Sequence, residues 1–229
     1  MVSHVRETGP SVYNALKPGE ENMKSRRYAH LALAAVLALM LIGVARADVI
    51  GSIWINNPNT GNAIPANVPG TTPDVTFTAP TPLDFSAGDG YANPYTIGGF
   101  LSSGGATVLT GSSLLGNDLN NTMFNFTGTV TVTNGQDFTV THDDGLTLVI
   151  GGITVINQPG PTAPTTDTHT YTGPSGNLPF QLVYGECCGA PAVLQIDLPL
   201  KSVPDGGTTL MLLTGALAAL ETLRRRFRA

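Results

Sequence analysis

From Asn125 to Gly160 the chain reads NFTGTVTVTNGQDFTVTHDDGLTLVIGGITVINQPG. After an insertion-like loop it resumes at His169 with HTYTGPSGNLPFQLVYGECCGAPAVLQIDLP, ending at Pro199. Apolar and polar residues alternate through these segments, as a strand with one buried face requires. Phe138, Val140 and His142 fall on one face, and Asp137, Thr139 and Thr141 on the other. Bounded by Gly, Pro and Asn-Gly punctuation, the strands expected are Asp74–Ala79, Met123–Val132, Gln136–His142, Leu146–Ile150, Ile153–Ile156, Asp167–Tyr171, Leu178–Tyr184 and Ala192–Leu198. Asn134-Gly135 is expected to close a tight hairpin between two of them. Gly51 to Leu119, rich in Pro, Gly and Asn, reads as irregular loops and edge strands. Helix signals are weak, so residues 48–202 are read as one all-β domain, an antiparallel β-sandwich.

Composition agrees with that reading and excludes several functions. With 41% hydrophobic residues, 27 Gly and 17 Pro in 229 residues, the chain is too apolar for disorder and too rich in turn formers for a helical bundle. Every Lys and Arg lies at or before Arg46 or at or after Lys201, while eleven carboxylates lie between Asp48 and Leu200. A body without a basic side chain is a poor partner for nucleic acid, whose phosphates need Lys and Arg. It also lacks the arginine and lysine contacts of phosphoryl-transfer sites. A metal cation is the natural counter-charge that remains, although acidity also serves solubility alone.

The ends carry targeting signals. Residues 1–22 are polar and unpatterned, and Met23 is read as the start of translation. Residues 23–47 then read as a signal peptide: Lys24, Arg26 and Arg27, an apolar run from Ala29 to Val44, and Ala45-Arg46-Ala47 as a small-x-small cleavage site. The alternative, a retained transmembrane anchor, is disfavoured by the shortness of that run. Residues 203–229 run Val203-Pro204-Asp205-Gly206-Gly207, then apolar Thr208 to Leu220, then Arg224, Arg225, Arg226 and Arg228. This order resembles the bacterial PEP-CTERM sorting tails, in the variant whose motif opens Val-Pro-Asp. The resemblance implies a short hydrophobic helix, transient membrane anchoring with the arginines as a cytoplasmic stop, and processing by an exosortase-type enzyme after signal peptidase has acted. Glu221 departs from the pattern by interrupting the apolar stretch. The alternative for this segment is an amphipathic surface helix.

Asp143-Asp144-Gly145, Gly151-Gly152, Val155-Ile156, Leu182-Val183-Tyr184, Glu186 and Gly189-Ala190 follow in an order that resembles the PA14 family over roughly residues 124–199. Adjacent aspartates at a strand end place two hard oxygen donors at one loop tip, which is calcium chemistry. The resemblance adds that in lectin-like members such a pair holds calcium, and the calcium binds sugar hydroxyls. It also implies a cis Asp143–Asp144 peptide. A second calcium loop would fall at Gly185 to Cys188, where Glu186 has to stand in for the family's Asn. The expected metal ligands are therefore Asp143, Asp144 and Glu186, and the expected ligand-binding loop comprises Gly145, Cys187, Cys188 and Gly189.

Adjacent Cys187 and Cys188 are the only cysteines, and an exporting compartment favours a vicinal disulfide between them. Two free thiols, or a bridge to another chain, are the alternatives. Zinc is not expected, because two adjacent thiols with His142 and His169 lack a recognised ligand spacing. His142 continues the apolar face of its strand and is read as a half-buried strand histidine rather than a general base. There is no serine in a nucleophile elbow, and carboxylates adjacent in one turn do not straddle a glycosidic bond. Trp54, Tyr91, Tyr95, Tyr171 and Tyr184 are read as core or core-edge residues, not as a stacking platform. The sequence thus describes an exported, non-enzymatic binding or adhesion module at the cell surface or extracellular matrix, with calcium as cofactor and extracellular carbohydrate as partner. The alternative is a structural matrix protein whose Asp-Asp-Gly is only a turn.

Overall fold

Branched and aromatic side chains fill the strands because they pack well on a pleated, half-buried surface. The computed structural model describes residues 49–200. The expected leader, signal peptide and sorting tail with its hydrophobic helix lie outside the described residues. Within them the order is β1 (Val49–Trp54), β2 (Val75–Ala79), β3 (Leu83–Ala87), α1 (Ile97–Ser103), β4 (Thr107–Thr110), β5 (Thr122–Val132), β6 (Asp137–Asp143), β7 (Gly145–Ile150), β8 (Ile153–Gln158), β9 (Thr165–Thr170), β10 (Gly176–Glu186) and β11 (Ala192–Ile196). A seven-stranded sheet runs β4-β2-β1-β5-β10-β7-β8 and a four-stranded sheet runs β3-β11-β6-β9. The expected all-β antiparallel sandwich is the architecture the chain adopts.

Aromatic rings fill the space between the sheets. Phe126 meets Phe77 edge-on at 5.6 Å and Phe85 at 5.8 Å, and Phe100 stacks on Phe85 at 5.1 Å and on Tyr184 at 5.8 Å. Helix α1 delivers Phe100. It starts at Thr96, whose Oγ1 accepts from the Gly99 N–H at 3.1 Å, and it buries Ile97, Phe100 and Leu101. Among the described residues no helix is long and apolar enough to cross a membrane.

Three expectations need correction. The region from Gly51 to Leu119 is not only loops and edge strands, because β1 sits between β2 and β5 near the middle of the larger sheet. Its Gly51 is a packing glycine: a Cβ there would lie 2.1 Å from the Phe77 ring, so the residue that reads as a breaker is the one that lets the ring sit on the strand. The Asn134-Gly135 turn is not a hairpin, since β5 belongs to the larger sheet and β6 to the smaller. The Gln136 N–H donates to the Thr133 carbonyl at 3.1 Å, and within the pair Gly135 alone has positive φ, at 85°. A hairpin turn of the type that Asn-Gly favours needs positive φ at both positions, so this turn instead carries the chain across the sandwich. Finally, His142 is not half-buried; it is 1% exposed, between the sheets.

Of the aromatic residues, Tyr171 and Tyr184 are fully buried as expected. Trp54 packs with Ala63, Met123 and Val183 in a second apolar cluster. Its Nε1–H donates to the Thr71 carbonyl at 3.1 Å, tying the long β1–β2 connection to the sheet.

Candidate functional site

The end of β6, the start of β7, the β8–β9 loop and the β10–β11 loop meet at one end of the sandwich. Pairing sets this up: Val193 on β11 is opposite Asp143, and Gly185 on β10 is opposite Gly145. Gly145 has no room for a side chain, since a Cβ would lie 2.1 Å from the Pro159 carbonyl oxygen. That close approach brings the β8–β9 loop against the Asp143–Asp144 turn.

The Asp143–Asp144 peptide is cis. Asp144 is 4% exposed, and its carboxylate is held from two loops. The Thr162 N–H donates to Oδ1 at 3.2 Å and the Cys187 N–H donates to Oδ2 at 2.9 Å. Burial still raises its pKa above the usual carboxylate range, although those two N–H groups, Asp143 and nearby His142 oppose the shift. Asp143 is 5% exposed. Burial first, and then the charge beside it on Asp144, push its pKa up to about 7.

Both carboxylates line a cavity of about 410 Å³ whose other walls are Pro161 to Pro164 and Cys188 to Pro191. Pro161, Pro164 and Pro191, which have no N–H donor, are among its lining residues. Cys187 and Cys188 are bonded to each other, and Cys188 adopts a φ of 70°. Of the expected loop residues, Cys188 and Gly189 line the cavity, whereas Gly145 and Cys187 stand behind it. Cys187 acts there through its backbone N–H.

Glu186 is placed differently from the two aspartates. It is fully buried, its Oε1 lies 2.6 Å from the Tyr95 hydroxyl, and its Oε2 lies 2.5 Å from the Tyr184 hydroxyl. Tyr184 also donates to the Asp143 carbonyl. Tyr184 thus has two acceptors within reach of its one hydroxyl hydrogen. The Glu186 pKa is raised to about 9, by burial above all, with the tyrosine hydroxyls opposing the shift, so the group carries a proton at neutral pH. The chain Tyr95, Glu186, Tyr184, Asp143 carbonyl therefore braces the aspartate turn from below.

His142 braces it from the side, its Nδ1–H donating to the Asp144 carbonyl at 2.5 Å while Nε2 lies 2.7 Å from Gln158 Oε1. Gln158 Nε2–H donates onward to Asp167 Oδ2 at 3.1 Å. Sequence reasoning missed Thr162, the proline loop and Tyr95. Tyr95 lies 91 residues from Glu186, and no local pattern links them. The proline spacing of PGPTAPT, from Pro159 to Thr165, is the one signal that marks a stiff loop there.

Residues 202–227 match the VPDSG-CTERM motif. Among solved structures, the chain is similar to the PA14 domain of the antifreeze protein MpAFP, with 26% identity and a TM-score of 0.50 over 69% of this chain and 82% of that one. It is also similar to the PA14 sugar-binding domain from an RTX adhesin, with 20% identity and a TM-score of 0.50 over 67% of this chain and 91% of that one. No curated protein matches the chain. The described residues form a PA14-like domain, and the chain carries a C-terminal sorting motif.

Proposed function

We propose that this chain is an exported binding module that takes a carbohydrate through a calcium ion held by Asp143 and Asp144. The observation that carries the reading is a pair of adjacent, buried carboxylates facing one cavity in a domain without a single Lys or Arg. Their mutual repulsion finds no Lys or Arg in the body, and a hard cation with oxygen ligands relieves it. The donor set fits. A carboxylate offers about four lone-pair sites, and at Asp144 two are used by N–H donors, which leaves lone pairs for a cation. Calcium also takes backbone carbonyls and water as ligands, which would complete such a shell.

Glu186 does not line the cavity that the aspartates face, and its two oxygens are turned to Tyr95 and Tyr184. Its part is to hold the turn, and the calcium ligands are the two aspartates. The sugar-binding title of one PA14 neighbour and the sorting motif support carbohydrate as ligand and the cell surface or matrix as location. Signal peptidase and an exosortase-type enzyme are then the processing partners, with the tail a transient membrane anchor. Domain limits of 48–202 for the binding domain and 203–229 for the tail follow from the same reading.

Thermal unfolding of the full chain in detergent, with calcium and with chelator, tests this beside Asp144→Asn. A cation at 100 times its dissociation constant adds about 2.7 kcal/mol to the folded state. The wild type should gain that stability and the variant should not. If calcium leaves both unchanged, Asp143-Asp144-Gly145 is turn chemistry, and a structural matrix protein is the better description.

A further inference from the structure

A second cavity, of about 350 Å³, lies against the same loop. It is lined by His142, Gln158, Gly160, Pro161, Thr162, Thr165 and Asp167, while the aspartate pair faces the first cavity. Pro161 and Thr162 line both cavities, so the two adjoin across the β8–β9 loop. They are also wired together. His142 joins the Asp144 carbonyl to Gln158, and Gln158 joins Asp167.

The chemistry of the second cavity differs from that of the first. Five of its side chains are polar: an imidazole, an amide, two hydroxyls and a carboxylate. It has no Phe, Tyr or Trp wall for a flat apolar ligand and no Lys or Arg for an anion. Amide and hydroxyl groups that both donate and accept, beside one carboxylate that accepts, match a ligand presenting several hydroxyl groups. The tandem of a cavity with two carboxylates and a polar one with a single carboxylate fits a ligand of linked hydroxyl-bearing units better than a single unit.

Resting on the calcium–carbohydrate reading, we infer that Gln158, Thr165 and Asp167 form a second subsite, and that the ligand is a neutral oligosaccharide spanning the Pro161–Thr162 segment. One sugar unit sits at the aspartate pair, and its neighbour donates hydroxyls to Asp167 and bonds Gln158 and Thr165. A uronic acid unit is disfavoured at the second subsite, because its carboxylate would face Asp167 there.

The full chain applied in calcium to a printed array of neutral monosaccharides, the oligosaccharides built from them, and uronate-containing oligosaccharides tests the inference. Asp144→Asn, Asp167→Asn, Thr165→Val and the distant control Asp84→Asn are applied in parallel. Neutral oligosaccharides should be retained at least tenfold better than their own monosaccharides, and better than oligosaccharides made of uronate units. Asp167→Asn and Thr165→Val should each bring that ratio down by threefold or more, and Asp84→Asn should leave it unchanged. Retention that needs calcium and Asp144, but with monosaccharides holding as well as oligosaccharides, overturns the second subsite and leaves the calcium reading standing. So does a ratio insensitive to both subsite variants. Retention of nothing, or retention that survives Asp144→Asn, overturns the underlying reading and this inference with it.

Discussion

The aromatic middle of the sandwich and its loop end are buried to the same degree and held together by opposite means. Phe77, Phe85, Phe124 and Phe126 are stabilised by leaving water and by ring contacts. Asp143, Asp144 and Glu186 are equally hidden, yet burial works against them: it raises each pKa, and the charge on Asp144 raises those of Asp143 and Glu186 further. Burial in the first region is the source of stability. In the second it is a cost, kept within bounds by backbone N–H groups, by tyrosine hydroxyls and by a proton on Glu186. A fold that maintains a costly arrangement at one end points to that end as the place of function.

The largest effect that would sharpen this contrast is in the middle. Phe126→Ala should cost about 3 to 5 kcal/mol in urea unfolding, the usual range for emptying a phenylalanine site in a packed core. The calcium-induced rise in stability should survive in that variant. If it disappears together with the core residue, the two regions are not separable and the contrast fails.

Next comes pH. Asp143 and Glu186 both bind a proton more tightly folded than unfolded. The stability this contributes is fully present below the ordinary carboxylate range and is lost as pH rises, through about 7 for Asp143 and about 9 for Glu186. In chelator, the melting temperature should therefore fall from mildly acid to alkaline pH. Calcium should flatten the part near neutrality by taking the place of the Asp143 proton. A melting temperature that rises over this interval in chelator would contradict the assignment.

Glu186→Ala should cost about 1 to 3 kcal/mol, because two tyrosine hydroxyls lose their partner in the interior. Glu186→Gln keeps a donor and an acceptor and should cost far less, while removing the alkaline part of the pH dependence. Equal losses in the two variants, by chemical denaturation at neutral pH, would argue against the protonated glutamic acid.

The smallest change should follow reduction of the Cys187–Cys188 bond. The Cys187 N–H is one of two donors that hold Asp144, so freeing the loop loosens a ligand of the proposed cation. A dithiol reductant should diminish the calcium-induced shift in melting temperature while moving the chelated value little. An undiminished shift would remove the loop backbone from the description of the site.

Much of this was legible in the residues. Strands such as Met123–Val132 and Leu146–Ile150 could be bounded to within a residue or so of β5 and β7, because long alternating runs between turn formers leave little freedom. Strand β1 was not legible, since Gly51 looks like a breaker until Phe77 is laid across it. In the site, the aspartate pair and the paired cysteines stood out as residue types. The roles of Thr162, Tyr95 and the Cys187 N–H did not, for each rests on contacts with residues remote along the chain.

By itself the sequence determined the strand-rich class of the domain, the lack of any Lys or Arg between Asp48 and Leu200, and the place of its adjacent carboxylates at a strand end. These are local or compositional properties, carried by period-two alternation and by counting. Only the tertiary structure decided that β5 and β6 part into different sheets, that Glu186 turns inward to two tyrosines, and that one proline loop divides two adjoining cavities. The physical reason is that pairing, burial and proton sharing arise between groups far apart in the chain, where each choice depends on all the others.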